Sequence, residues 1–249
     1  FSLATQFDFL TFITKLFPMS YDTVYPEGMP MIYCGTAVLI LVPLFFMNDR
    51  ITMKEKTSTG LLTFLLVILM YIKPADMAMH GFQVPNWLPY RYSFIFSFLM
   101  IVMAFRAFEN LEGITAKNIG GIFFGLMVFL FWCERENYSH FQLFETKTSE
   151  TGDTTNVIQG IWVSMIALAA YFALIYLIKK YPKSKAVCIV MVGVLAVELF
   201  ANSADTIDKI DTDVAYSKYT SYEPYMTQTR NAVSMMKEYD PSLFYRMEA

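Results

Sequence analysis

Charge is scarce in this sequence. Asp, Glu, Lys and Arg make up 16% of its 249 residues, against about 25% in an average soluble domain. The 22 acidic and 19 basic side chains leave a formal charge of −3, so no basic field is present to hold nucleic acid. Histidine occurs twice and cysteine three times. Cys34, Cys133 and Cys188 are far apart and lie in or beside apolar runs. That excludes metal-finger spacing and a disulfide framework, and fits small apolar packing residues. No phosphate-binding loop, dinucleotide-binding glycine fingerprint, serine nucleophile elbow or zinc-binding histidine motif occurs. Phe1 opens the chain and no charged leader with a cleavage site follows it. The start is therefore not a secretory signal, and the chain reads as an internal piece of something longer.

Apolar residues take the place of the missing charge, at 55% of the chain. They gather in six runs: Met31–Met47, Ser58–Ile72, Tyr92–Phe108, Ile119–Cys133, Val157–Ile178 and Ala186–Ala201. A helix crosses a hydrocarbon core of about 30 Å with roughly 17–25 apolar residues. Several runs fall short of that and must reach into the interface or lean on longer neighbours. The runs are continuous instead of alternating with period 2, which argues against a β-barrel. The expected architecture is an all-α polytopic membrane protein of about six transmembrane helices in residues 31–201. Ahead of it, residues 1–30 form an outer interfacial or re-entrant segment, greasy from Phe7 to Phe17 but too short to span.

Positive charge sets the orientation. Arg50, Lys54, Lys56, Arg106, Lys117, Lys179, Lys180, Lys183 and Lys185 fall on one side of the alternating spans. The other side holds Lys73, Arg91, Arg135 and Lys147. The richer side is cytoplasmic by the positive-inside rule. Loops Lys73–Arg91 and Glu134–Asn156 then face outward, as do both ends of the chain. After Ala201 the composition turns polar. Residues 202–249 read as the start of an extracytoplasmic α/β or β domain, with a helix over Pro224–Tyr239, proline near its start, and a first strand at Phe244–Glu248. Asp211 and Asp213 are spaced like a metal-holding carboxylate pair, but they sit in a polar linker and read as solvated. No metal site is assigned, and a divalent metal is left open.

The outer loop from His80 to Tyr92 is the densest in chemistry. It holds one of the two histidines, two prolines, Trp87, Tyr90 and Tyr92 around Arg91. Arg91 can grip a phosphate or carboxylate with two prongs, or anchor the loop among lipid headgroups. His80 is a general acid or base candidate. Asp76 lies four residues before it and shares its face only if that stretch is helical. Glu134 and Arg135, at the mouth of the next outer loop, can supply a carboxylate and a cation, or form a local surface ion pair. Glu198, inside the last apolar run, is a functional candidate by its place alone, although it lies within about one turn of the outer end.

The runs Pro30–Gly35 and His80–Phe94, with the closing Leu243–Glu248, resemble the bacterial YfhO family of membrane proteins. The resemblance implies a multi-pass protein of the bacterial cell membrane and a GT-C-like glycosyltransferase. Such an enzyme moves a sugar from a polyprenyl-phosphate carrier to a cell-surface polymer such as teichoic or lipoteichoic acid. It also implies that the catalytic carboxylate lies upstream of Phe1. In this chain His80 and Glu134 are the catalytic candidates. Asn86, Trp87, Tyr90, Arg91, Tyr92 and Arg135 are the substrate-binding candidates. Phe94, Phe96 and Phe98 are expected to line a groove for the lipid tail. A flippase for a lipid-linked sugar and a non-catalytic assembly protein are the alternatives.

Overall fold

The computed structural model describes residues 4–135, 146–148, 154–156, 160–214 and 219–239. Its helices are α1 (Phe9–Thr14), α2 (Thr36–Met47), α3 (Met53–Tyr71), α4 (Lys73–Met79), α5 (Ser93–Glu109), α6 (Ala116–Arg135), α7 (Gly160–Lys180), α8 (Lys185–Asp213) and α9 (Tyr219–Tyr239). A short antiparallel hairpin, β1 (Thr146–Thr148) and β2 (Thr154–Asn156), lies between α6 and α7. The chain divides into two compact units at Ile210 and Asp211, and α9 belongs to the second.

Each of the six apolar runs contains a helix, but among the described residues only α6, α7 and α8 are long and apolar enough to cross a membrane. Of the roughly six expected spans, three are candidate spans by length and composition, and the other helices are shorter or more polar for reasons visible in each. α5 has 17 residues, a rise of about 25 Å. α3 spends its first turn on Lys54, Glu55 and Lys56. α2 has only 12 residues, about 18 Å. It starts at Thr36 and not at Met31, because Gly35 takes φ +101°, a conformation open to glycine and not to a helix. Non-helical backbone in an apolar bundle needs partners for its carbonyls. Here α5 provides them: Ser93 Oγ donates to the Met31 carbonyl at 3.1 Å and Ser97 Oγ to that of Ile32 at 3.2 Å.

α2 is the centre of the first unit, buried from Thr36 to Val42 and again at Leu44 and Phe45, and packed against α5, α6 and α7. At one end the connections on either side of it are tied together. Asn48 Nδ2 donates to the Asn110 carbonyl at 2.8 Å, and Lys179 Nζ to that of Leu111 at 2.9 Å. Gly113 permits this approach, since a Cβ there would lie 2.1 Å from Asn48 Oδ1. Most of the basic residues of the richer side sit in these connections and in the helix ends beside them.

The N-terminal segment is packed into the bundle. Asp8 caps α1 by accepting from the backbone N–H groups of Leu10 and Thr11, both at 3.0 Å. Phe12 meets Phe96 edge-on and Phe17 stacks on Phe129. Gln6 pairs with the last turn of α3 through the Tyr71 and Met70 carbonyls, filling the break between α3 and α4. Burial pulls the Lys15 ammonium below its ordinary value, with Asp22 at 3.5 Å opposing the shift.

Composition and backbone part ways after Ala201. α8 runs on through the polar residues to Asp213. α9 begins at Tyr219, which puts Pro224 inside the helix and forfeits the bond its N–H would have made to the Thr220 carbonyl. The expected strand at Phe244–Glu248 lies outside the described residues, and an α/β or β domain is not seen among the described ones. Asp211 and Asp213 fall in the last turn of α8, where residues two apart point to different sides.

Glu55, in the charged turn ahead of the apolar part of α3, grips Arg106 of α5 with both oxygens, at 2.8 and 3.3 Å. Those hydrogen bonds hold its carboxyl below the usual 4.5. A carboxyl lowered by folding stabilises the native state above its unfolded value, and that contribution is lost as pH falls through the native one. The thermal midpoint in detergent is therefore expected to drop below pH 4.5 with a Glu55-dependent component. Glu55→Gln should lower the midpoint at pH 7 and flatten its fall in acid; parallel curves for both proteins would refute the tie.

Candidate functional site

The outer loop candidates sit on a buried cluster. α4 is helical, so Asp76 and His80, its C-cap, do share a face. Asp76 is 3% exposed. Its Oδ1 lies 2.8 Å from the Tyr92 hydroxyl and 3.4 Å from His80 Nδ1. Nδ1 is also 2.9 Å from the Asp76 backbone oxygen. With its proton on Nδ1, where both neighbours are acceptors, neutral His80 keeps a bare lone pair on Nε2. Nε2 is buried and has no hydrogen-bond partner among the described residues, an omission native interiors rarely tolerate. The His80 and Tyr92 rings lie 5.7 Å apart. Tyr90 is buried nearby, and burial together with the Asp76 charge pushes its phenol above the ordinary value.

The loop above this cluster is strained. Phe82, Leu88 and Tyr90 have φ of +62°, +52° and +56°, each costing roughly 1–3 kcal/mol. The loop is held from outside by the Leu88 N–H, which donates to the Val24 carbonyl at 2.8 Å, and by Trp87 packed on Tyr25. Arg91 is exposed and folds back, donating to the Trp87 carbonyl at 3.1 Å and the Leu88 carbonyl at 3.4 Å. It stiffens the loop and leaves the rest of its guanidinium facing out. Asn86 and Trp87 are exposed, while Tyr90 and Tyr92 are part of the core. Glu134 and Arg135 end α6. No contact joins either to Asp76, His80 or Arg91 among the described residues.

Glu198 forms a second polar knot. Oε1 accepts from the Tyr33 hydroxyl at 2.6 Å, the Thr36 N–H at 2.9 Å and the Thr36 hydroxyl. Oε2 accepts from the Tyr171 hydroxyl at 2.6 Å. Thr36 opens α2, whose N-cap, Gly35, has no side chain to cap with. A carboxylate from α8 thus caps α2 at the positive end of its dipole. This reads as a structural role, and its signal in the sequence was the single acid inside an apolar run. Asp76 was legible only as a helical neighbour of His80.

An apolar groove of about 450 Å³ lies between α2, α5 and α8. The third apolar run contributes Ile101, Ala104, Phe105 and Phe108 to it. The expected Phe94, Phe96 and Phe98 do not line it: Phe96 faces the core, and Phe94 and Phe98 are exposed elsewhere on α5. No group of three or more metal-ligating side chains occurs among the described residues.

Residues 1–249 match the family model described as bacterial membrane protein YfhO. No curated protein and no solved structure matches the chain.

Two substitutions test the two knots. Glu198→Ala leaves four donor groups without their acceptor and should cost about 2–5 kcal/mol, read as the unfolding midpoint in detergent; Glu198→Gln should cost much less. Tyr92→Phe removes the hydroxyl that holds Asp76 and should raise modification of His80 by diethyl pyrocarbonate, mapped by peptide mass. Unchanged protection would mean that Tyr92 does not organise the cluster.

Proposed function

This chain belongs to the family of the bacterial membrane protein YfhO, and from that premise we propose that it forms part of a membrane glycosyltransferase. The reaction moves a sugar from a polyprenyl-phosphate carrier to a cell-surface polymer of the teichoic or lipoteichoic acid kind. The acceptor hydroxyl loses a proton and attacks the anomeric carbon. The bond from that carbon to the phosphate oxygen breaks, and the carrier leaves as its phosphate.

One observation carries the reading. The strained loop His80–Tyr92 covers a buried Asp76–His80–Tyr92 cluster whose imidazole nitrogen is unused. Strain and an unsatisfied buried nitrogen both lower stability, and such features concentrate where function requires them. In this reading Asp76 orients His80, and Nε2 takes the proton once the loop moves aside. The outward face of Arg91 steadies the leaving phosphate. Asn86 and Trp87 meet the sugar or the headgroup layer. Glu134 and Arg135 are held in reserve at the neighbouring helix end. Six helices share the membrane, with the basic connections of Arg50, Lys117 and Lys179 in the cytoplasm and both ends of the chain outside. Residues 202–249 lead into an extracytoplasmic domain.

A transporter for the same lipid-linked sugar is the second reading. Its support is the irregular backbone from Met31 to Gly35 ahead of α2, a discontinuous entry of the type transporters use around their substrates. The two differ in product. Purified whole protein that releases polyprenyl phosphate only when acceptor is added is a transferase; movement of the intact donor across vesicles without release is transport.

For the transferase, His80→Ala and Arg91→Ala should each lower polymer glycosylation by at least about tenfold at normal expression. Full glycosylation in both variants would leave the loop as a membrane anchor only.

A further inference from the structure

Next to the apolar groove along α8 lies a second pocket of about 170 Å³, lined by Lys15, Ser20, Asp22, Tyr33, Asn202 and Thr206 together with apolar residues such as Met29 and Ile32. Two walls are common to both. On α8, Cys188, Met191, Leu195 and Leu199 line the groove, and Asn202 and Thr206 line the pocket. These positions step by three or four residues, so they form one continuous face of the helix. On the facing strand of chain, Tyr33 borders the pocket and Cys34 and Gly35 border the groove. The change from polar to apolar comes at the same level on both walls, where Glu198 joins Tyr33 and Thr36.

The two compartments ask for different chemistry. The groove is walled by apolar side chains and lies along α8, one of the helices able to cross a membrane, so it suits a hydrocarbon chain. The pocket adds charged and polar groups to an apolar wall, and its charges are compensated. Lys15 stands 3.5 Å from Asp22, and beside them Lys209 lies 2.7 Å from Asp205. Lys15 also donates to the Ser20 carbonyl, and Lys209 to that of Met19. A phosphate would have to break an ion pair to find a cation. An uncharged head bearing hydroxyls can instead donate to Asp22, which is partly exposed, while leaving the pair intact, with Tyr21 and Tyr33 supplying flat apolar faces.

We propose that groove and pocket together bind one long-chain lipid with an uncharged, hydroxyl-bearing head: a glycolipid and not a phospholipid. The site uses none of the His80–Tyr92 loop and stands whether or not that loop transfers sugar.

The test uses the whole protein in phosphatidylcholine nanodiscs, doped with monoglucosyl diacylglycerol or with phosphatidic acid, and native mass spectrometry of the lipid it retains. The glycolipid should be retained at least about tenfold better than phosphatidic acid, a gap of about 1.4 kcal/mol. Val192→Trp fills the groove from a lipid-exposed position and should abolish the retention without moving the unfolding midpoint. Asp22→Asn should weaken the glycolipid and, by freeing Lys15, improve phosphatidic acid. Equal retention of the two lipids, retention of neither, or retention undiminished in Val192→Trp overturns the proposal. If Asp22→Asn does not fold, the Val192→Trp comparison decides alone.

Discussion

The carboxylate of Glu198 is the contact on which the arrangement of α2, α7 and α8 depends. Of the described residues of α8, it alone is buried. Helices in lipid gain little from apolar contact with one another, because lipid tails offer the same. A helix as apolar and as lightly packed as α8 therefore has no strong reason to settle in one place. Glu198 supplies one. It fills the cap that Gly35 leaves empty on α2 and takes a hydroxyl from α7. Further out, the Met19 N–H donates to Asn202 Oδ1 and Lys209 reaches the Met19 carbonyl. These polar contacts fasten the N-terminal segment to the same helix. The walls of both groove and pocket follow from that placement.

The same economy of polar groups appears wherever the backbone leaves regular structure. Met31 and Ile32 give their carbonyls to two serines of α5. The junction of α3 and α4 is paired by residues 4–6. Each polar side chain in a greasy sequence satisfies a specific break, as a water-free interior demands. His80 Nε2 stands apart from this pattern. Among the described residues it is a buried side-chain polar atom left without a partner, and it lies under a loop with three left-handed residues.

Much of the fold was legible in the sequence. Every apolar run contains a helix, because continuous apolar residues without alternation leave few other economical ways to bond the backbone. The shortening of α2 was not legible from hydropathy: Met31–Cys34 are as apolar as the helix that follows, and only Pro30 and Gly35 hinted at the break. Nor was the burial of Phe12, Phe17, Tyr21 and Val24, since a greasy segment of that length can lie on a membrane or within a bundle with the same pattern. The boundary at Ala201 marked a change of solvent along α8, not a change of backbone. In the loop, His80 and Tyr92 were found by their chemistry. Asp76 waited on knowing that α4 was helical.

By itself, then, the sequence determined that this is a helical membrane protein, where its apolar runs lie, and which loop is rich in chemical groups. Those properties follow from local composition and period. It also marked Glu198 as exceptional, through the cost of a carboxylate in an apolar run. Tertiary structure alone decided what that carboxylate does, which three side chains meet beneath the His80–Tyr92 loop, and that an apolar groove and a charge-compensated pocket share one face of α8. Those are distances between residues far apart in the chain. They depend on how helices pack, which no local pattern records.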